Sequence, residues 1–468
     1  MPASEVVQKQ KRSKFNPAIV DDSTKDLRRA LWILALPAVG EMLLNTTVGM
    51  IDTAMVGRIG KEAVAAVGLA NRFVNLILGV FMAITTGTTA TVARYYGAER
   101  KQEASDVLRQ SLLAAVFFAL ILGIPSYLFA KPLIRSVLTS GDAIVFEGAS
   151  TYFRVMAASF IFLFLNLTSS SALRGTGDMS APLVVVGLTN VVNFIGNYLL
   201  IYGNGPFPRL GIYGAALSTL ISRAIGTLVY GYMIIKGRGD LTINWRKGLK
   251  FSKELLAPVF KIGIPAAVEQ LVMRTGQFLY YFVIIGLGTA AQAAHEVALN
   301  AESISYNPGF GFALAATTMV GQFLGAGKPD HAMRSGKEAA KINMWIMSTI
   351  GVFFFLFPSA FVRLFVPNDP EVIELASMCL RIVAISEPFF AAVMVFAGGL
   401  RGAGDTLWVM VSTILGVWVV RLGLAFLFVN VMGFGLAGAW WAMNIDLMVR
   451  SILLWYRFRS GKWQNIKI

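Results

Sequence analysis

The segment LRGTGD at Leu173–Asp178 returns as LRGAGD at Leu400–Asp405, 227 residues later. Other segments return with it. Pro37 and Glu41 recur as Pro265 and Glu269, and Gly60 recurs as Gly288, each at an offset of 228. Val92–Ala98 (VARYYGA) matches Val320–Ala326 (VGQFLGA) at 228, and Gly214-Ala215 matches Gly438-Ala439 at 224. Matches that hold one register over the whole chain mark a duplication. Whatever architecture the chain adopts must be built twice.

Each copy is too apolar for water. The 468 residues are 56% hydrophobic and only 14% charged, against about 25% charged in soluble domains. The apolar residues cluster in runs of about 20, the length that crosses a bilayer as a helix. Such runs fall near 30–56, 64–93, 108–130, 149–173, 181–203, 212–235, 257–286, 290–324, 340–361, 374–400, 406–430 and 434–457. The expected fold is all-α: a polytopic membrane protein of twelve transmembrane helices in two six-helix lobes. An N-lobe at 28–235 and a C-lobe at 257–460 are expected, joined by a cytosolic linker at 236–256 and flanked by tails at 1–27 and 461–468. Six spans is an even number, so the second copy re-enters in the same orientation. The lobes are then related by a pseudo-two-fold axis along the membrane normal.

The net charge of +15 would point to nucleic acid in a soluble protein. Its distribution gives another cause. The alternate segments on the side of the termini, with their flanks, hold about 28 Lys and Arg. The opposite loops hold Arg58, Lys61, Lys131, Arg135, Arg209 and Arg363. By the positive-inside rule both termini are expected in the cytoplasm, with no nucleic-acid partner. The first 27 residues are polar, so no cleavable signal is expected. The single Cys379 excludes an internal disulfide.

Charges within the spans are costly and are functional suspects by default. Glu41, Asn45 and Asp52 lie on one face of the first span; Asn190, Asn193 and Asn197 share a face of the fifth. Counted from the outer helix ends, Asp52, Asn197, Ser218 and Thr219 fall in one layer of the outer half of the membrane. A carboxylate with amide and hydroxyl oxygens at one depth suits a hard cation, sodium included, or a carboxyl that exchanges a proton. Glu41 and Glu269 are repeat mates, each four residues after a proline. They either face a cleft from both lobes or bond backbone groups freed near the proline. On the eighth span His295 and Glu302 share a face, and Glu387 precedes Pro388 on the tenth; these are a second candidate site for substrate or coupling. Arg421 and Asp446 lie at similar depth on the last two spans and are expected to form a structural ion pair. Arg421 sits at the repeat position of Asn193, which places a fixed positive charge in the second copy of that site.

The paired LRGxGD segments, the first span LPAVGEMLLNTTVGMIDTAMVGRIG (36–60) and GLGTAAQAAHEVALNAESISYNPGFGFALAATTMVGQFLGAGKPD (286–330) resemble the multidrug and toxic compound extrusion (MATE) family, prokaryotic branch, from about residue 25 to 460. The resemblance implies a central cleft between two lobes and export of a small organic molecule against inward proton or sodium flow. In relatives the cation site uses a first-helix aspartate, two polar residues of the fifth helix and a sixth-helix threonine, which match Asp52, Asn193, Asn197 and Thr219. Relatives with a clear cation site often carry a second acid where this chain has Asn197, which favours a proton. The rival reading is a lipid-linked oligosaccharide flippase of related fold, which calls for a cleft rich in Arg and Lys. An enzyme is not expected: no nucleophile–base pair or metal cluster appears, and GAGKPD at 325–330 lacks the spacing of a phosphate loop. The expected partners are a small-molecule substrate and membrane lipids, the expected state is a monomer, and no cofactor is expected beyond the coupling H+ or Na+. The LRGxGD turns are expected to be scaffold and hinge.

Overall fold

The computed structural model describes residues 23–138, 142–243, 248 and 250–466. The tail before Ser23, with Asp21 and Asp22, lies outside the described residues, as do parts of the expected linker and C-terminal tail. A backbone in hydrocarbon must satisfy its polar groups internally, which favours helices. Among the described residues twelve long helical segments follow one another, with short helices between some of them: α1 (Thr24–Gly57), α2 (Lys61–Gly97), α3 (Lys101–Leu128), α4 (Ala143–Ala158 with Phe160–Gly175), α5 (Ser180–Tyr202), α6 (Gly211–Ile235), α7 (Lys253–Ile285), α8 (Thr289–Gly325), α9 (Pro329–Leu356), α10 (Pro370–Ala403), α11 (Thr406–Val431) and α12 (Gly435–Arg459). Among the described residues nine are long and apolar enough to cross a membrane, and the bent pair of α4 is a tenth. The other two, α8 and α12, carry His295, Glu296 and Glu302, and Asp446, Arg450 and Arg457, respectively.

Two helices depart from regular geometry. The two pieces of α4 meet at 50°. The joint is Ser159, whose hydroxyl donates to the Met156 carbonyl at 2.7 Å and accepts from Arg223 of α6 at 2.6 Å. A side chain inserted at a helix joint is a recognised cause of a kink. α11 contains π-helical stretches at Ile414–Arg421 and Leu427–Val431, wide turns that often mark constrained sites.

By internal packing the chain forms two units. One is Gly40–Gly263; the other is made of the described residues up to Val39 and those from Ile264 onward. We call these the N-unit and the C-unit. The boundaries lie beside Pro37 and Pro265, where each proline removes a backbone donor and loosens the helix. Thus the first part of α1 packs in the C-unit, where the Trp32 and Phe312 rings meet edge to face at 5.3 Å. The first part of α7 packs in the N-unit.

The repeat is visible contact by contact. In the N-unit a Cβ on Gly263 would stand 1.7 Å from the Ala83 carbonyl oxygen; in the C-unit a Cβ on Gly311 would stand 3.1 Å from that of Ala35. These are the same pair of positions at an offset of 228, with glycine and alanine exchanged. Thr89 donates to the Ser171 carbonyl at 3.1 Å, and its mate Thr317 donates to that of Gly398 at 2.9 Å. Small residues let helix backbones approach this closely in a membrane, where packing replaces the hydrophobic effect. Gly263→Ala and Gly402→Ala, the latter 2.1 Å from the Thr317 carbonyl oxygen, are therefore expected to destabilise by about 1–3 kcal/mol or more. Thermal unfolding of the detergent-purified variants measures this. Gly205→Ala, with nothing within 4 Å of its Cβ, is the contrast, carrying only the strain of its positive φ.

Four positions of LRGxGD have separate tasks. The arginines bond Glu41 (Arg174) and Glu269 (Arg401, 2.6 Å). The first glycines, Gly175 and Gly402, give the close approach to Thr89 and Thr317. The second, Gly177 and Gly404, have φ of +84° and +87°, conformations that favour glycine. The aspartates accept from Arg238 (Asp178, 2.8 Å) and Arg457 (Asp405, 2.6 Å).

Candidate functional site

Three bonds hold the second part of α1 against α5 in the N-unit. Asn190 Nδ2 donates to the Leu44 carbonyl at 3.2 Å, Asn197 Nδ2 to Asp52 Oδ1 at 2.6 Å, and the Tyr202 hydroxyl to the Met55 carbonyl at 2.9 Å. The rungs ascend both helices together, as two odd-numbered spans require. Behind α5, Ser218 of α6 donates to the Asn193 carbonyl at 2.8 Å. A Cβ on Gly196 would fall 2.4 Å from the Ser218 hydroxyl oxygen, so the glycine between the two asparagines makes the α5–α6 contact possible.

Asp52, Asn193, Asn197 and Thr219 are thereby gathered into one cluster. Asp52 is half-buried, while Asn193 and Asn197 are buried. The Asn193 amide donates to Asp52 Oδ1 and Oδ2 at 2.8 and 3.3 Å, and its oxygen accepts from Thr219 at 3.3 Å. With Asn197 it gives the carboxyl two amide donors, which suits an ionised carboxylate, because hydrogen bonds to a charged acceptor are about twice as strong as neutral ones. Asn197 Oδ1 is buried without a partner, so an acceptor oxygen is also at hand for a cation. Asn45 is exposed and outside the cluster.

The other candidates are placed elsewhere. Glu41, 4% exposed, is held by Arg174, and Glu269, also 4% exposed, by Arg401. Neither pairs with backbone groups near its proline; the arginine of the same repeat's motif supplies the counter-charge. In the C-unit His295 sits among the rings of Tyr280, Tyr281 and Trp440, with centroids at 5.9, 6.4 and 5.6 Å, and its Nδ1 has no hydrogen-bond partner. Glu302 is buried on the same helix. Glu387 accepts from Ser305 at 2.6 Å and is fully buried. Arg421 Nε donates to Asp446 Oδ2 at 2.9 Å, and Arg450 Nε to Asp446 Oδ1 at 2.7 Å.

At an offset of 228, Asp52 corresponds to Tyr280 and Asn193 to Arg421. The Arg421 guanidinium lies over the Tyr280 ring at 5.8 Å. In the second copy a tyrosine stands where Asp52 does and an arginine where Asn193 does, and the carboxylate that meets the arginine is Asp446 of α12. Sequence reading had not located Arg450, Arg223 or the partner of Glu387. All three are polar residues inside apolar runs, which was the available signal. Among the described residues no group of three or more His, Cys, Asp or Glu is placed to hold a metal ion.

A duplicated bundle of apolar helices, with a carboxyl set among buried amides in one copy, is the architecture of a multi-pass membrane transporter. The MatE family profile matches the chain twice, at residues 37–199 and 265–427, so the two matches begin and end 228 residues apart. The chain is 32% identical to the probable multidrug resistance protein NorM of Thermotoga maritima, with 97% of each covered. A solved MOP superfamily transporter of Pyrococcus furiosus, described by the reverse polarity of its binding pocket, has a TM-score of 0.86 at 26% identity and covers 97% of this chain and 98% of its own. A MATE crystal structure in the bent conformation gives 0.85 at 26%, covering 93% and 96%. The chain belongs to the MatE family: it is a multidrug-efflux type of transporter and not an enzyme.

Proposed function

We propose that the chain exports small organic compounds, cationic or amphipathic, by antiport with protons, and that Asp52 carries the coupling proton. The observation that supports this reading is a single carboxyl set between two amides, with no second acid and no arginine bonded to it among the described residues. Both asparagines can point N–H groups at Asp52, where a sodium ion would need oxygens. Protonation removes the charge that strengthens these bonds. The hold of α5 on α1 then weakens at the Asp52 rung, and α1 repacks. A change of about 1.4 kcal/mol at that rung alters the conformational populations tenfold. Uptake at one membrane face and release at the other then gives alternating access of two lobes to the substrate.

The orientation proposed is both termini in the cytoplasm of a prokaryotic inner membrane, with a single chain as the working unit. The Lys and Arg asymmetry supports the former. Purified protein in liposomes loaded with a fluorescent organic cation tests the whole reading. An imposed pH gradient is expected to drive net transport, and a sodium gradient at matched pH is not. Transport driven by sodium alone would transfer the coupling role to a metal cation at Asp52, Asn193, Asn197 and Thr219.

A further inference from the structure

A cavity of about 430 Å³ opens in the C-unit at the end of α10 opposite the LRGAGD turn. Its lining includes Ser359, Arg363, Asn368, Glu374, Ser377 and Arg381. The short helix Pro358–Arg363 supplies the first two, and α10 the last three. The Ser359 and Ser377 hydroxyl oxygens are 3.2 Å apart and fasten these elements together. On α10, Glu374, Ser377 and Arg381 are three and seven residues apart, so one helix face presents all three to the cavity.

The charges here are unmet. Arg363, Glu374 and Arg381 are exposed and have no ion-pair partner among the described residues. Arg381 lies about 16 Å along the helix from Pro370, followed by the apolar Ile382 and Val383. An arginine flanked by the apolar Leu380 and Ile382 calls for a counter-charge or water, and Arg421, Arg450, Arg174 and Arg401 all have a protein carboxylate. Arg381 has instead the cavity it lines. Two guanidiniums suit a phosphate, which they can bind bidentately. The carboxylate of Glu374 in the same space disfavours a simple anion and suits an ammonium beside it.

We infer that this cavity binds a phosphodiester bearing a neighbouring ammonium, the phosphoethanolamine type of group, with Arg363 and Arg381 on the phosphate and Glu374 on the ammonium. The group can reach the cavity from the membrane leaflet at this end or from solution. The test is native mass spectrometry and thermal unfolding of the full chain in detergent. The probes are dihexanoyl-phosphatidylethanolamine, dihexanoyl-phosphatidylglycerol, glycerophosphoethanolamine and inorganic phosphate.

The phosphatidylethanolamine probe is expected to bind and stabilise. Arg381→Gln and, separately, Arg363→Gln should weaken it about tenfold or more, the loss of one charged hydrogen-bonding group. Glu374→Gln should remove the preference over phosphatidylglycerol. Comparable binding of glycerophosphoethanolamine identifies a soluble ligand; binding only of the acylated probe identifies a lipid. Either agrees with the proposal. Equal affinity for both lipids in the unsubstituted protein overturns it, as does lipid binding untouched by Arg363→Gln. Arg363 is exposed on a six-residue helix, so that variant remains informative if Arg381→Gln fails to fold.

Discussion

Asp52→Asn is expected to eliminate gradient-driven export while leaving a folded protein that still binds substrate. The substitution is nearly isosteric and keeps an oxygen for Asn197 Nδ2, now 2.6 Å from Asp52 Oδ1. Asn193 Nδ2 lies 2.8 Å from the same oxygen and still donates to it. What disappears is the ionisable proton. One pH unit is worth about 1.4 kcal/mol per proton carried, so a coupled antiporter sustains up to about a tenfold substrate ratio per unit and per proton. A carrier with no titrating group sustains none. The expected result is a substrate ratio that collapses to unity in proteoliposomes under a pH gradient, with equilibrium substrate binding within a few-fold of the unsubstituted protein. Full export by the variant would remove Asp52 from the coupling role.

This result would separate Asp52 from the other membrane carboxyls, which differ in what faces them. Glu41, Glu269 and Asp446 each meet an arginine, Glu387 meets the Ser305 hydroxyl, Glu302 is buried without an ion pair among the described residues, and Asp52 meets amides. A guanidinium supplies a full counter-charge, whereas an amide supplies only a dipole. The presence of an acid in a span therefore says less than the identity of its neighbour.

That distinction also marks how far the sequence could be read. Helix periodicity and depth are enough to put Asp52, Asn193, Asn197 and Thr219 near one another, since both depend on counting along single helices. The duplication is legible in the same way, from the offset of 228 between Pro37 and Pro265. The arginine partners of Glu41 and Glu269 could be suspected from the LRGxGD motif but not paired, because the pairing spans some 130 residues of chain. The bend of α4 carries no proline or glycine at its joint; it depends on Arg223 reaching Ser159 from another helix. The assignment of the first parts of α1 and α7 to the opposite units is likewise a matter of tertiary packing. Local pattern gives no sign of it beyond two prolines.

The same pairing logic makes Asp446→Ala the substitution with the largest expected loss of stability. Asp446 is fully buried and accepts from Arg421 and Arg450, whose side chains are 7% and 5% exposed. Gly416 leaves the room they need, since a Cβ there would stand 2.2 Å from Asp446 Oδ1. Removing the carboxylate strands two guanidiniums in a space without another acid bonded to them. Breaking one buried ion pair costs about 3–5 kcal/mol, an amount comparable with the whole stability of many domains. Asp446→Ala is thus expected to unfold in detergent or to melt far below the unsubstituted protein, followed by tryptophan fluorescence. Replacing the whole triad with apolar residues of similar size, Asp446→Leu with Arg421→Met and Arg450→Met, is expected to recover much of the loss, because apolar replacement of a complete buried pair is often neutral. A recovered triple variant that also exports substrate would make the triad a packing device. A recovered variant that does not export would mean that the positive charge at position 421, the repeat mate of Asn193, is needed to keep the second copy of the site closed to cations.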